Sequence, residues 1–476
     1  MGKLRTAGLS TFLAVLAALA FSSPASAARD IKFGFVEDQH GDTVLFNGNA
    51  SVRDMWWDRL EKSNADFIRL NMYWSLVARS TPAKATDPRD PNYEFGIYDQ
   101  AVREAKERGI KVAFTVFLAP RWAEGANRDS DARIGTWKPN PADYGAFAQA
   151  VAKRYSGKFK GLPKVKYFEA WNEPNLPQYL TPQWKGKKSA AVPHYRKLLN
   201  AFYAGIHKSQ KKAVVIGGGT SPRGDGPGGK RTRPYYFWRE LLCLKHKKKL
   251  RKQKGCRGGK RPAHFDVYGQ NPINAEKGAG PTSKPPNKDD GVPSNFHNLT
   301  KIVRAAEKRK TVFPKKKKHP GWATETWYES NPPDKRAGNS LKQQARYMQQ
   351  VMYVLWKQKV KTLFFLQLKD SPWEPSQPRL LGFQTGIYLP NGKPKPSAKA
   401  VAFPFVADRK SKRKVVLWGI APKKGKVQIK DGKKKVAKIK AKGGKVFTKT
   451  VRLKGKHKLQ AKLGKKKSLP WKLKAK

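Results

Sequence analysis

Between Ile31 and Phe405 the chain switches eight times between a short β-rich apolar run and an amphipathic helical segment. The spacing predicts strands over Ile31–Glu37, Phe67–Asn71, Val112–Phe117, Val165–Trp171, Val214–Ile216, Phe265–Tyr268, Gly321–Glu325 and Thr362–Leu368. Helices are expected over Val52–Asn64, Tyr98–Arg108, Pro141–Tyr155, Pro193–Ser209, Tyr235–Leu244, Leu299–Lys308, Leu341–Lys357 and Ser397–Phe405. Asn140 is a natural N-cap with Pro141 in the first turn, and Gly109 closes the second helix. Strands separated by a helix must run parallel, because the crossover returns the chain to the same end of the sheet. Eight such units close into an α/β (β/α)8 TIM barrel, whose functional face lies at the carboxyl ends of the strands. Glycine- and proline-rich stretches at Gly217–Gly229 and Lys277–Pro293 follow strands and read as long loops on that face.

The first residues have the composition of a targeting segment. Lys3 and Arg5 precede an apolar run from Leu9 to Phe21, and Ala25-Ser26-Ala27 supplies a small-residue cleavage pattern. Residues 1–27 are therefore expected to be a signal peptide, with an uncleaved membrane anchor as the alternative, and the protein to be secreted or held at the cell wall. No later stretch is long and apolar enough to form an integral membrane segment. Cys243 and Cys256 are the only cysteines, and in an exported chain they are expected to form a disulfide. Metal binding is the weaker reading, since only His246 lies near them; no metal and no cofactor are expected.

The formal net charge is +66 and unevenly spread. From Ala407 to Lys476 there are 28 Lys or Arg against Asp408 and Asp431, a balance of +26. The same stretch alternates short apolar runs with Lys-Gly and Asp431-Gly432 turns. The expected division is a barrel over 28–406 and a basic C-terminal region over 407–476, either a small Lys-rich antiparallel β-domain or a poorly ordered tail, with the domain favoured. Such a surface attracts polyanions: anionic cell-wall polymers, acidic polysaccharides and lipid headgroups are candidates. A specific nucleic-acid reader is not indicated, because no zinc-finger spacing, RNP-like motif or basic-zipper heptad is present.

Two short motifs carry chemistry. The first is Tyr167-Phe168-Glu169-Ala170-Trp171-Asn172-Glu173-Pro174-Asn175. It places the Glu173 carboxyl just past the fourth strand, where Pro174 ends the ladder. The second, Gly321-Trp322-Ala323-Thr324-Glu325-Thr326-Trp327-Tyr328, ends the seventh strand on Glu325. Either could be an ordinary loop start; together they make the carboxyl pair that a glycosidase needs, one protonated to serve the leaving oxygen and one ionised to attack.

These residues resemble the clan of retaining glycoside hydrolases whose barrels carry glutamates on strands four and seven (clan A). Phe168 to Asn175 is most similar to the family 39 signature, a family that includes β-xylosidases and α-L-iduronidases. That family usually has a tryptophan two residues before Phe168, where this chain has Lys166. The resemblance implies an O-glycosyl hydrolase acting with retention, with Glu173 as acid/base and Glu325 as nucleophile. It further implies that Arg69, read as ending the second strand, hydrogen-bonds the nucleophile and that Trp373, after the eighth, floors the sugar site. Both are expected at the substrate with Asn172, which stands beside Glu173 and can donate to a sugar hydroxyl or a carboxylate. After the sixth strand related sequences often read His-Pro; here the pair is Asn271-Pro272, and Asn271 can hydrogen-bond but cannot carry charge. Trp74, Trp122, Trp137, Trp327 and Trp373 fall at or after predicted strand ends, so a carbohydrate substrate stacked on aromatic faces is expected, with some of the five serving packing instead. The alternative is a catalytically weak or inactive carbohydrate- or wall-binding protein that works through its basic C-terminal region.

Overall fold

The computed structural model describes residues 30–38, 44–246, 250–253, 262–373 and 382–476. The expected signal peptide and Cys256 lie outside them.

Eight strands form a closed barrel: β1 (Lys32–Glu37), β2 (Phe67–Tyr73), β3 (Lys111–Phe117), β4 (Tyr167–Ala170), β5 (Val214–Thr220), β6 (Val267–Gln270), β7 (Gly321–Thr326) and β8 (Thr362–Leu366). Every neighbouring pair is parallel, and β8 closes onto β1 through the register Phe35 opposite Phe365. The intervening helices are α1 (Ala50–Lys62), α2 (Gly96–Glu107), α3 (Pro141–Arg154), α4 (Ala191–Ser209), α5 (Pro234–Leu241), α6 (Phe296–Lys308), α7 (Leu341–Lys357) and α8 (Pro396–Ala402). The Asn140 side chain does cap α3, accepting from Ala142 and Asp143 N–H. Between α3 and α4 the backbones touch: a Cβ on Gly205 would lie 2.1 Å from the Gly145 carbonyl oxygen, so glycine is required there.

Alternation along the strands sorts side chains into two apolar sets. The inward set takes Val36, Phe67, Ala113, Tyr167, Ile216, Val267, Trp322 and Phe364 from the eight strands. The Phe67 ring meets Tyr167, Trp322 and Phe364 edge-on, with centroids 5.2, 5.6 and 5.9 Å apart. This plug fills the barrel and forces polar residues above it towards the carboxyl end. The outward set, including Ile68, Leu70, Phe114 and Val116, packs under the helices.

Two elements differ instructively from expectation. Strand β2 runs on to Tyr73, so Arg69 sits inside the strand rather than at its end. Strand β4 stops at Ala170, because Trp171 and Glu173 take left-handed backbone angles, φ 71° and 39°. Non-glycine residues adopt that region rarely, and it turns the chain sharply out of the ladder.

The C-terminal region forms two antiparallel sheets. One contains β9 (Phe405–Arg409), β10 (Lys414–Ile420) and β13 (Val446–Arg452). The other contains β11 (Gly425–Asp431), β12 (Lys434–Ala441), β14 (His457–Leu463), β15 (Lys466–Lys467) and β16 (Trp471–Leu473). They pack on the barrel through α7. Trp418 is fully buried with its ring 5.6 Å from Tyr353 and 6.0 Å from Trp356, and the Arg346 guanidinium lies 3.7 Å above the Trp471 ring. No described helix is long and apolar enough to cross a membrane.

Candidate active site

The sharp turn after β4 is clamped from several sides. Trp171 N–H reaches the Val116 carbonyl at 3.0 Å and the Tyr144 hydroxyl at 3.1 Å, and its indole N–H donates to the Tyr179 carbonyl at 2.8 Å. Glu173 N–H donates to the Gly219 carbonyl at 3.1 Å, while the Asn175 side chain accepts from Ser221 N–H and donates to the Thr232 carbonyl. Four residues thus hold the two strained positions and two more fix Asn175 just beyond them, which aims the Glu173 carboxyl into the barrel mouth.

Strict alternation from inward Trp322 would turn Glu325 away from the barrel. The register of β7 against β8 shifts between Ala323 and Thr326, and this irregularity brings Glu325 to the mouth, where Arg69 joins the two motifs. Its guanidinium is 1% exposed and forks three ways. Nε donates to Glu169 Oε2 at 2.8 Å, Nη2 donates to Asn172 Oδ1 at 3.0 Å, and Nη1 lies 3.5 Å from Glu325 Oε2. The planar fork, with its separate nitrogens, suits a role that serves three partners at once, which lysine could not fill. Thr115, paired opposite Glu169 in the barrel register, donates to the same Oε2 at 2.7 Å. Glu169 is itself buried, and its Oε1 has no hydrogen-bond partner among the described residues.

The two candidate glutamates have different support. Glu173 Oε1 accepts from the Asn271 side-chain N–H at 3.0 Å, and Asn271 Oδ1 in turn accepts from Thr324 at 2.7 Å. Burial, then the neighbouring Glu325, push the Glu173 carboxyl up to about 8, with the Asn271 hydrogen bond pulling the other way. Glu325 keeps 15% of its side chain exposed towards the opening. Burial raises its pKa too, but the Arg69 charge and a hydrogen bond from the Trp327 indole favour its ionised form. The pair therefore combines one carboxyl hydrogen-bonded to a neutral amide, with Arg69 acting on it through space, and one held by the Arg69 cation and an indole. Each carboxyl is raised by burial, and Glu325 further raises Glu173, so the site disfavours the doubly ionised pair, while the Arg69 and Trp327 contacts favour charge on Glu325.

Other expected residues divide. Trp327 is 8% exposed and packs against Phe383 with centroids 5.8 Å apart. Trp373 is partly exposed and directly precedes the undescribed residues 374–381. Trp74 belongs to the core instead of a sugar cleft: it is fully buried, stacked 5.6 Å from Phe147 and edge-on to Trp122 at 5.7 Å. Trp122 and Trp137 spend their indole N–H groups on the Ala78 and Ala126 carbonyls. Among the described residues no group of three His, Cys, Asp or Glu side chains could hold a metal ion.

Sequence reading missed a second polar cluster on the same face. Asp38, just past β1, accepts from the Asn71 amide at 2.9 Å and the Tyr73 hydroxyl at 2.5 Å. Asn71 and Tyr73 follow Arg69 at two-residue steps, so strand alternation alone would have found them. Tyr179 lies in the field of both glutamates: burial, then Glu173 and Glu325, raise its hydroxyl pKa. No pattern in the sequence marks it, because it comes from the loop that cradles Trp171.

No family model matches this sequence, and no curated protein does. Solved structures do resemble it. A family 39 glycoside hydrolase from the gut symbiont Bacteroides cellulosilyticus WH2 aligns over 90% of this chain and 80% of its own, at 17% identity and TM-score 0.53. A glucosidase from Croceicoccus marinus aligns over 90% and 82%, at 12% identity and TM-score 0.51. GH5_18 from Streptomyces cattleya, solved with GlcNAc, aligns over 79% of both chains, at 11% identity and TM-score 0.50. The fold is the (β/α)8 barrel found in clan-A glycoside hydrolases, a family 39 enzyme among them.

Proposed function

We propose that this protein is a retaining glycoside hydrolase in which Glu325 is the nucleophile and Glu173 the acid/base. The observation that carries the reading is the unequal support of the two carboxyl groups at the barrel mouth, Asn271 on one and Arg69 with Trp327 on the other. Ionised Glu325 attacks the anomeric carbon while the Glu173 proton passes to the leaving oxygen, which breaks the glycosidic bond and forms a glycosyl ester on Glu325. Glu173, now ionised, takes a proton from water, whose oxygen displaces Glu325 from the anomeric carbon and restores both groups. Clan-A barrels among the structural neighbours favour the same assignment.

Hydrolysis of a panel of aryl β-glycosides tests it, with Glu173→Ala and Glu325→Ala beside the parent. Both variants are expected to lose turnover, and azide is expected to rescue Glu325→Ala as a glycosyl azide of inverted configuration. Absence of turnover on every activated glycoside and polysaccharide would replace this reading with a carbohydrate-binding protein.

Export belongs to the same proposal, supported by the signal-peptide pattern of residues 1–27 and by the Cys243 and Cys256 pair. Cys243 is buried at the end of α5, and no described cysteine is free. A non-reducing peptide map of culture supernatant should show one Cys243–Cys256 crosslinked peptide and a mature N-terminus at Ala28. A full-length, cell-retained chain with both thiols free would refute export.

A further inference from the structure

The five-stranded C-terminal sheet has one apolar and one cationic face. Val427, Ile429, Leu459, Ala461 and Trp471 are buried on the first. The alternate residues on the same strands point the other way, and the register sets lysines directly opposite lysines: Lys426 against Lys440, Lys462 against Lys467, Lys458 against Lys472. Like charges directly opposite on a sheet destabilise it. Asp431, the only acidic residue in these five strands, is already engaged at one corner by His457 Nδ1, at 2.7 Å, and by the backbone N–H of Lys458. The face is therefore left without internal neutralisation, a cost that an external polyanion removes.

We propose that this face binds a linear acidic polysaccharide. Outward side chains recur about every 7 Å along each strand and about 4.8 Å across strands, so the lysines form a two-dimensional grid rather than a single pocket. Gln428 and Gln460 lie within the grid, paired across β11 and β14 with Lys462 and Lys430, and offer amide groups to hydroxyls. The grid holds no arginine fork and no aromatic ring. Nucleic acid is normally held by such groups, through bidentate phosphate contacts and base stacking, and a lipid surface by an apolar or aromatic fringe. Lysine point charges interspersed with amides suit carboxylate or sulfate groups carried on a hydroxyl-rich chain.

Binding of the whole mature protein to polygalacturonate across a salt series tests this, with neutral dextran and duplex DNA of matched length as comparators. The variant replaces Lys426, Lys438, Lys440 and Lys462 by Gln; the control replaces Lys106, Lys301, Lys308 and Lys342 by Gln on exposed helix positions. The face variant is expected to weaken binding about tenfold or more at low salt and to lower the slope of log K against log salt by roughly three to four, with the control nearly unchanged. Its melting temperature without polyanion should hold or rise, because repulsion has been removed. If the fourfold variant does not fold, Lys426→Gln with Lys462→Gln should lower the slope by roughly two. Equal losses in face and control variants, no loss in either, or tighter binding to DNA than to polygalacturonate would overturn the proposal. Aryl glycoside turnover reports on the barrel separately, so failure of the glycosidase reading leaves this outcome readable.

Discussion

Asn271 bridges the two glutamate motifs: its side-chain N–H donates to Glu173 Oε1 at 3.0 Å while its oxygen accepts from Thr324, the residue before Glu325. The residue that touches Glu173 here is therefore a neutral amide. It orients the Glu173 carboxyl without adding a charge that would hold it ionised.

That hydrogen bond favours ionised Glu173, so removing it should raise the carboxyl above its value of about 8. Asn271→Ala is expected to move the alkaline limb of kcat/KM to higher pH and to lower kcat/KM by about tenfold through lost orientation. Asn271→His should move the limb the opposite way whenever the imidazole is protonated. A pH–rate profile with an aryl glycoside checks both; an unmoved limb in both variants would remove Asn271 from the acid's control.

Glu169→Gln keeps shape and removes the buried charge facing Arg69 at 2.8 Å. Because the Glu169 charge raises both Glu325 and Glu173, the acid and alkaline limbs should both move to lower pH. Losing one partner of a buried ion pair typically costs about 3–5 kcal/mol, and the surviving Arg69 contact to Glu325 should keep the loss near the lower figure. Urea unfolding measures the second effect and the rate profile the first.

Glu37, at the end of β1, accepts from Val44 N–H through Oε1, while its Oε2 is buried with no hydrogen-bond partner among the described residues. Burial pushes its carboxyl from 4.5 to about 8. The folded state therefore holds this proton more tightly than the unfolded chain. The resulting stability is full below about pH 4.5 and is lost as pH rises through about 8. Glu37→Gln, which cannot ionise, should flatten that decline, with a gain on the order of a few kcal/mol at pH above 8 and almost none at pH 4.5. Denaturant midpoints across that window decide it.

Trp418 ties the C-terminal sheets to α7 through Tyr353 and Trp356. Trp418→Ala is expected to cost about 3–5 kcal/mol. If the sheets and barrel unfold together, near-ultraviolet and far-ultraviolet circular dichroism will move in one transition at lower denaturant; a separate early transition would show that the sheets melt alone.

Much of this was legible in the chain before folding. Eight alternations of period two and period 3.6 appear as eight strands and eight helices, because burying one face of each element writes its period into the sequence. Element ends were less legible: α6 begins at Phe296, before the expected Leu299, because a 3-10 turn at Pro293–Asn295 leads into it. Glu173 and Glu325 were found because a carboxylate beside a strand end is a local pattern. Trp74 shows the limit of the same rule. It ends a strand as Trp327 nearly does, yet it turns outward beneath α3 while Trp327 turns to Glu325, and nothing local distinguishes them.

The sequence by itself determined the order of elements, the barrel class, the positions of both glutamates and the cationic character of the C-terminal strands, since each is set by residues a few positions apart. Tertiary structure alone decided that Arg69 and the Trp327 indole support Glu325 while Asn271 supports Glu173, that Arg69 serves Glu169, Asn172 and Glu325 together, and which lysines face one another across the last sheet. Those properties depend on distance and burial between residues separated by up to 256 positions, and both arise only when the barrel closes and the sheet registers lock.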